Sequence, residues 1–196
     1  MEQWQRTIWP ELSAATDGEL QAYLIGAAHD ACFSRQHRTT RFAQKDRRWL
    51  TVLGLALDRL GYQSWTYQEG TRDVYVLETS WAQSGLVVRT AGEVTAYVRG
   101  YFDAEGGVPR SATARSYIQV VQKDRRDLEQ LHLLCLGLGL ECGRIHNPSA
   151  KVDPSYWRFY ILKRSHQKFF ELISSWHPTK RVLLEERFLT RRDIGG

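Results

Sequence analysis

The sequence predicts an α+β protein made of pseudo-twofold tandem αββαββ repeats, with two antiparallel sheets. Three observations carry that reading. Gln44-Lys45-Asp46-Arg47-Arg48 recurs unchanged as Gln122-Lys123-Asp124-Arg125-Arg126, an offset of 78 positions from Lys45 to Lys123. Each copy follows a strand-like stretch and precedes apolar residues at helical spacing. Each of those helical patterns stops at a glycine, Gly61 or Gly139, where a residue just past a helix end belongs. The repeat divides the chain into a first half over 1–90 and a second over 91–196 that adds C-terminal helices.

Taken in chain order, Trp4, Ile8 and Trp9 ahead of Pro10 read as an N-terminal packing segment. Leu20 to Ala31 and Val94 to Glu105 are apolar, rich in small residues, and long enough for three helical turns. Thr40 to Ala43 and Tyr117 to Val121 are strands leading into the duplicated segment, whose Asp46 and Asp124 stand as N-caps. Trp49, Val52, Leu53, Ala56, Leu57 and Leu60 share one helix face, as do Leu128, Leu131, Leu134, Cys135 and Leu138. Further strands are expected over Tyr62 to Tyr67, Val74 to Thr79, Leu140 to His146 and Trp157 to Leu162. Ser165 to Ser175 and Lys180 to Leu189 are helical in pattern, split by a turn at Trp176-His177-Pro178, and Arg191 to Gly196 reads as a frayed tail.

The chain has 196 residues, 42% of them hydrophobic, which supports a sizeable core and excludes disorder as the main state. No apolar run reaches membrane-spanning length, and the first twenty residues lack a charged segment followed by an apolar one. Neither a membrane span nor a secretion signal is expected. The three cysteines form no even framework, which points to a reducing intracellular compartment, cytoplasmic or organellar. Cys32 reads as a small buried cysteine at a helix end rather than a nucleophile. His29, His132, His146, His166 and His177 lack zinc-site spacing, and Gly137-Leu138-Gly139 lacks the preceding strand a phosphate loop requires. The net charge of +5 is a moderate bias toward polyanionic partners.

Tyr97-Val98-Arg99-Gly100-Tyr101-Phe102-Asp103-Ala104-Glu105-Gly106 resembles the signature helix of the LAGLIDADG homing endonucleases, in the spelling GYFDAEG. The order of elements around it is similar to that of a single-chain member with two motifs. The resemblance covers residues 18 to 187, including the Ser175-to-Lys180 segment. It implies a fold in which two signature helices pack side by side beneath sheets that form a DNA-binding saddle. Close packing of those helices needs small residues on the facing stripe, which Gly100 and Ala104 provide in the second.

The activity implied is sequence-specific hydrolysis of duplex DNA. Divalent cations, Mg²⁺ or Mn²⁺, neutralise phosphate charge and lower the pKa of an attacking water. Hard cations take oxygen ligands, and by the resemblance Glu105 supplies one from the second half. The first helix departs from the pattern. With Gly26 opposite Gly100, Ala31 matches Glu105 and enters the metal set by position alone. Shifted by one, Cys32 matches instead. Neither is a carboxylate, and the nearby acid, Asp30, needs a rotation of about 100° to face the site. Three readings stay open: Asp30 substitutes after a local helix distortion; Glu105 acts alone in an asymmetric, nicking site; or cleavage is lost, leaving a DNA- or RNA-binding protein, maturase-like or regulatory.

The resemblance further places Gln44, Lys45, Gln122 and Lys123 beside the metal centre, where a cation stabilises developing negative charge. Lys and Arg in a first helical turn oppose the macrodipole, a conflict that a nearby phosphate offsets, so Arg47, Arg48, Arg125 and Arg126 are candidate backbone contacts. Strand residues read bases. The candidates are Arg35, Gln36, His37, Arg38, Thr40, Arg41, Gln63, Trp65, Tyr67 and Arg72 in the first half. In the second they are Arg110, Thr113, Arg115, Ser116, Tyr117, Arg144, His146, Lys151 and Arg158. The partner implied is a double-stranded DNA target bound by a monomer, with intron RNA as a further partner where such proteins serve intron or intein mobility and splicing.

Overall fold

The computed structural model describes residues 3–83, 85–111 and 113–189, so the tail expected over Arg191 to Gly196 lies outside the described residues. The chain folds as two compact units, Met1–Ala104 with Trp176–Pro178, and Glu105–Ser175 with Thr179–Gly196. The proposed division at 90/91 follows the repeat, whereas helix packing carries the first unit on to Ala104. No helix among the described residues is long and apolar enough to cross a membrane.

The first unit opens with helix α1 (Gln3–Ala14), which turns the anticipated packing segment into a regular element. Trp4, Ile8 and Leu12, spaced four apart, are its buried stripe. Helix α2 (Asp17–Ala27) starts at Thr16, which exchanges hydrogen bonds with Glu19 in a capping box. It ends sooner than the sequence suggested: Ala28–Asp30 form a 3₁₀ turn, and Ala31 already begins strand β1 (Ala31–Ser34). Strand β2 (Thr39–Gln44), helix α3 (Arg47–Arg59), strand β3 (Ser64–Gln68) and strand β4 (Tyr75–Thr79) follow. The strands form an antiparallel sheet in the order β1-β2-β4-β3. Phe42 pairs with Leu77 on the face that carries the core, alongside Trp49, Leu50, Leu53 and Leu57 of α3. Helix α4 (Ala91–Glu105) completes the unit and leads the chain out of it.

In the second unit, strands β5 (Gly106–Gly107), β6 (Ile118–Gln122) and β7 (Trp157–Ile161) form a sheet in that order, and helix α5 (Arg125–Gly137) lies between β6 and β7 in sequence. The strand expected over Leu140 to His146 is replaced by two isolated bridges, Cys142 to Ile161 and His146 to Arg158. The two bridges differ in register by one residue, so an extra residue bulges out between Gly143 and His146 and breaks the ladder. A 3₁₀ turn (Lys163–Ser165) precedes helix α6 (His166–Leu172), which stops short of the expected Ser175 as Ser174 takes a φ of 53°. Helix α7 (Pro178–Phe188) has Pro178 at its first position, where the missing N–H costs nothing.

Both copies of the duplicated segment fold alike. Asp46 and Asp124 cap α3 and α5 by accepting the amide hydrogens of Arg48 and Arg126. Gly61 and Gly139 sit at φ 78° and 71°. There the amides of Tyr62 and Leu140 donate back to Leu57 and Cys135 at 2.9 and 3.0 Å, closing each helix in a Schellman turn.

Candidate functional site

Helices α2 and α4 are pressed together at glycine. A Cβ on Gly26 would stand 2.2 Å from the Tyr97 carbonyl oxygen, and one on Gly100 would stand 2.1 Å from that of Tyr23. The two approaches mirror each other at an offset of 74, the distance from Tyr23 to Tyr97. At the other end, Gly18 lies against the Glu93 carboxylate and Gly92 against that of Glu19. Thr90 and Glu93 repeat the capping pair of Thr16 and Glu19. Back in the sequence, Thr16, Gly18, Glu19, Ala22, Tyr23 and Gly26 match Thr90, Gly92, Glu93, Ala96, Tyr97 and Gly100. This second repeat was there to be found, but its letters are scattered along two helices, whereas those of the duplicated pentapeptide are contiguous.

The mirror relation continues through the buried hydroxyls. Tyr23 donates to Asp103 Oδ2 at 2.8 Å and accepts from Trp49 Nε1 at 2.9 Å. Burial first, and then the Asp103 charge, raise the Tyr23 pKa well above the ordinary phenol value. The matching hydroxyl, Tyr97, meets His29 Nε2 at 3.0 Å. Asp103 also accepts the Trp176 amide at 2.9 Å, which fastens the Trp176–Pro178 segment into this unit.

The glycine register makes Ala31 the helical equivalent of Glu105. The strand register gives a different equivalence. Ala31 pairs with Phe42, and Gly106 pairs with Val120, which is Phe42 plus the repeat offset of 78. Asp30 and Glu105 each immediately precede those paired residues, so relative to the strands Asp30 occupies the place of Glu105. The chain from Gly26 to Asp30 is one residue shorter than from Gly100 to Glu105, and the 3₁₀ turn absorbs the difference. Three 3₁₀ residues at about 2.0 Å rise and four α-helical ones at about 1.5 Å both climb about 6 Å, turning about 360° and 400°. A 3₁₀ turn thus stands where the first helix departs from the pattern.

Asp30 Oδ2 accepts a hydrogen bond from Gln44 Nε2, which joins the acid to the duplicated segment of the first unit. In the second unit Gln122 turns to its own backbone instead, its Oε1 accepting the Lys123 amide at 2.6 Å. Lys45 and Lys123 are exposed, and Glu105 is half-buried. Three of the four arginines beside them are engaged within their own units. Arg48 folds back onto Asp46 at 2.8 Å, Arg47 lies 5.7 Å from the Tyr75 ring, and Arg125 lies 4.7 Å from the Trp157 ring.

The face of the first sheet turned away from Phe42 and Leu77 carries Cys32, Thr39, Arg41, Trp65, Tyr67 and Glu78. Cys32 is exposed there, a correction to its expected burial, because it belongs to a strand and not to a helix end. Thr40 faces the opposite way, 3% exposed, with its hydroxyl donating to the Trp81 carbonyl at 2.7 Å, so it does not join that face. Arg35, Gln36, His37 and Arg38 form the exposed β1–β2 turn, and Gln63 and Arg72 are exposed at the ends of the second hairpin.

On the second sheet, Arg158 lies 5.1 Å from the Tyr160 ring, with the His146 ring stacked at 6.1 Å and Tyr117 edge-on at 6.2 Å. Arg110, Thr113, Arg115, Arg144 and Lys151 are exposed in the surrounding loops, and Ser116 is half-buried.

Three contributors carry no signal in the sequence. Tyr160 is the hub of the second aromatic cluster. Arg187 of α7 holds the β5–β6 loop by donating to the carbonyls of Pro109 and Ser111 at 3.0 and 2.7 Å and to Ser116 Oγ at 3.1 Å. Glu78, 7% exposed, accepts from the hydroxyls of Thr39 and Tyr67. The Thr39 hydrogen bond chiefly holds the Glu78 carboxyl below its ordinary range, with Tyr67 and Arg41 adding to it. Only folding across strands brings these partners together, so no local pattern announces them.

Among the described residues no cluster of three or more His, Cys, Asp and Glu side chains is placed to cage a metal. The donors on offer are carboxylate and amide oxygens, a set that suits a hard cation retaining several waters and taking one or two carboxylates.

Residues 92–174 match the LAGLIDADG-like domain family. No curated protein matches the chain significantly. The fold is similar to that of I-DmoI in complex with DNA and Ca, at 18% identity, covering 88% of this chain and 100% of that one with a TM-score of 0.65. I-DmoI in complex with DNA and Mn gives 17%, 81%, 97% and 0.59. Full-length DUF199/WhiA from Thermatoga maritima is similar at 16% identity, covering 96% of this chain and 66% of that one with a TM-score of 0.66. The chain thus carries a LAGLIDADG-like domain and shares the fold of the LAGLIDADG proteins.

Proposed function

We propose that this chain is a metal-dependent, sequence-specific DNA endonuclease acting as a monomer, with Asp30 and Glu105 as its two acids. The observation that supports the reading is the strand register: Asp30 immediately precedes the residue paired with Phe42, and Glu105 immediately precedes the residue paired with Val120. Mg²⁺ or Mn²⁺, when bound, supplies charge neutralisation at the phosphate and a more acidic water. Asp30 in the first unit and Glu105 in the second would each offer carboxylate oxygens to such an ion, with Gln44 orienting Asp30 through its amide. Lys45 and Lys123, exposed beside the two glutamines in sequence, would supply positive charge to a leaving oxygen as it becomes negative. The outer strand faces supply hydrogen-bonding side chains for base edges, and the loop arginines supply phosphate contacts. The solved complexes of I-DmoI with DNA support this reading through the shared fold.

A second reading, a DNA- or RNA-binding protein that does not cut, is favoured by Ala31 at the helical position of Glu105. The two divide on one assay. A randomised duplex library incubated with the protein in Mg²⁺ or Mn²⁺, with ends captured and sequenced, yields a cleaved consensus if the endonuclease reading holds. Glu105→Gln then abolishes the ends while retaining the bound consensus in Ca²⁺. A consensus enriched by binding, with no scission by the wild type, removes the endonuclease and leaves the binder.

A further inference from the structure

Glu78 is an acid on a sheet face that the proposed function turns toward a polyanion, and its surroundings explain why. Its two oxygens accept from the Thr39 hydroxyl and, at 2.9 Å, from the Tyr67 hydroxyl. That same Tyr67 oxygen accepts from Arg41 Nη2 at 2.9 Å, while Arg41 Nε lies 3.7 Å from Glu78. Arg41 Nη2 also lies 3.6 Å from Glu69, which is itself 3.5 Å from Arg72. The two arginines and two glutamates sum to zero charge. A patch with no net charge grips phosphates poorly, because nonspecific affinity follows the number of phosphates neutralised. What it offers is orientation. Arg41 is drawn from β2, Glu78 from β4 and Tyr67 from β3, so three strands fix one guanidinium. Nη2 carries the Tyr67 hydrogen bond and faces Glu69, and Nε is buried beside Glu78 but beyond hydrogen-bond reach of it, so among the contacts of the described residues none engages Nη1. Trp65, 47% exposed, borders the patch on the same face.

We propose that Glu78 is a positioning residue that locks Arg41 and Tyr67 into one hydrogen-bonding arrangement, making this patch a base-reading site for the major-groove edge of guanine. An Arg fork matches the O6 and N7 acceptors of that base, and only a fixed fork discriminates. The inference rests on the DNA-recognition reading above.

The test compares binding of wild type, Glu78→Gln and Tyr67→Phe to the bound consensus selected from the duplex library, in Ca²⁺. Each protein is titrated against that site, against copies with each guanine replaced in turn, and against a scrambled duplex, over a range of salt. Wild type is expected to lose about tenfold or more at one guanine position. In Glu78→Gln an amide cannot balance the guanidinium. Arg41 is released as an uncompensated charge, so discrimination at that guanine collapses while the salt dependence steepens by about one phosphate contact. A side chain with a merely structural role lowers affinity for all duplexes alike and steepens nothing.

Tyr67→Phe removes the bridging hydroxyl and keeps the ring, so it loses part of the discrimination and covers the case in which Glu78→Gln does not fold. Full discrimination retained by every variant that folds overturns the inference, as does a wild type indifferent to every guanine in its site. Failure of the wild type to select any consensus defeats the DNA-recognition reading itself, a separate outcome.

Discussion

The two junctions between signature helix and first strand solve one problem in different ways. Helix α4 runs unbroken to Glu105 and passes straight into β5. Helix α2 gives up α geometry at Ala27 and reaches β1 through a three-residue 3₁₀ turn ending at Asp30. The first route is one residue longer, yet both deliver an acid to the residue before the first paired strand position. A deletion inside a helix usually rotates everything after it by about 100°. Here the tighter winding recovers most of that rotation and the axial rise. Equivalent residues in a duplicated protein can therefore be those that share a strand neighbour and not those that share a helical position.

The largest expected effect tests that equivalence. On the endonuclease reading, Asp30→Asn should reduce metal-dependent cleavage about 100-fold or more, comparable to Glu105→Gln, since each removes a proposed charged oxygen ligand. Strand-resolved gels separate the cases: a loss confined to Glu105→Gln shows that the first junction carries no function. Next in size are the glycines. Gly26→Ala and Gly100→Ala should each cost about 3 kcal/mol in urea unfolding, because the added methyl meets backbone rather than a movable side chain. A large difference between the two breaks the mirror relation.

A smaller effect sharpens the winding argument. One alanine inserted between Ala28 and His29 lets the first junction become α-helical, so stability should change by about 1 kcal/mol or less and cleavage should persist. The same insertion between Phe102 and Asp103 swings Glu105 by about 100° and should abolish cleavage. The smallest expected effect concerns pH. The folded-state pKa of Glu78 is depressed, so its contribution is present above the ordinary carboxylate pKa near 4.5 and is lost as pH falls through the folded value. Thermal unfolding against pH should show a shallower acid limb for Glu78→Gln than for wild type.

The outer faces differ as well. The first sheet joins its cations to Glu69 and Glu78 in one balanced network. The second sheet sets Arg158 and His146 on the Tyr160 ring, an arrangement that leaves positive charge at the surface. Its neighbouring ladder is also broken by the bulge before His146, whereas β3 keeps a single register along β4.

Much of this was legible in the residues. The duplicated pentapeptide marked the repeat, and Asp46, Asp124, Gly61 and Gly139 marked the ends of α3 and α5 because caps and left-handed turns are local chemistry. Glu105 stood out through GYFDAEG. The first motif was legible only as a departure, since periodicity assumes α geometry throughout and cannot register a change of winding. The bulge near Gly143 was likewise hidden, because Leu140 to His146 has a strand-like composition whether or not its ladder closes.

By itself the sequence determined the repeat, the helix boundaries that caps and glycines enforce, and the acid at the end of the second signature helix. Each of these depends on residues a few positions apart. Tertiary structure alone decided that Asp30 shares the strand register of Glu105, that Thr40 faces inward, and that Glu78 gathers Thr39, Tyr67 and Arg41. These rest on strand register and helix packing, which join residues far apart in the chain. A slip of one position there sends every side chain to the other face.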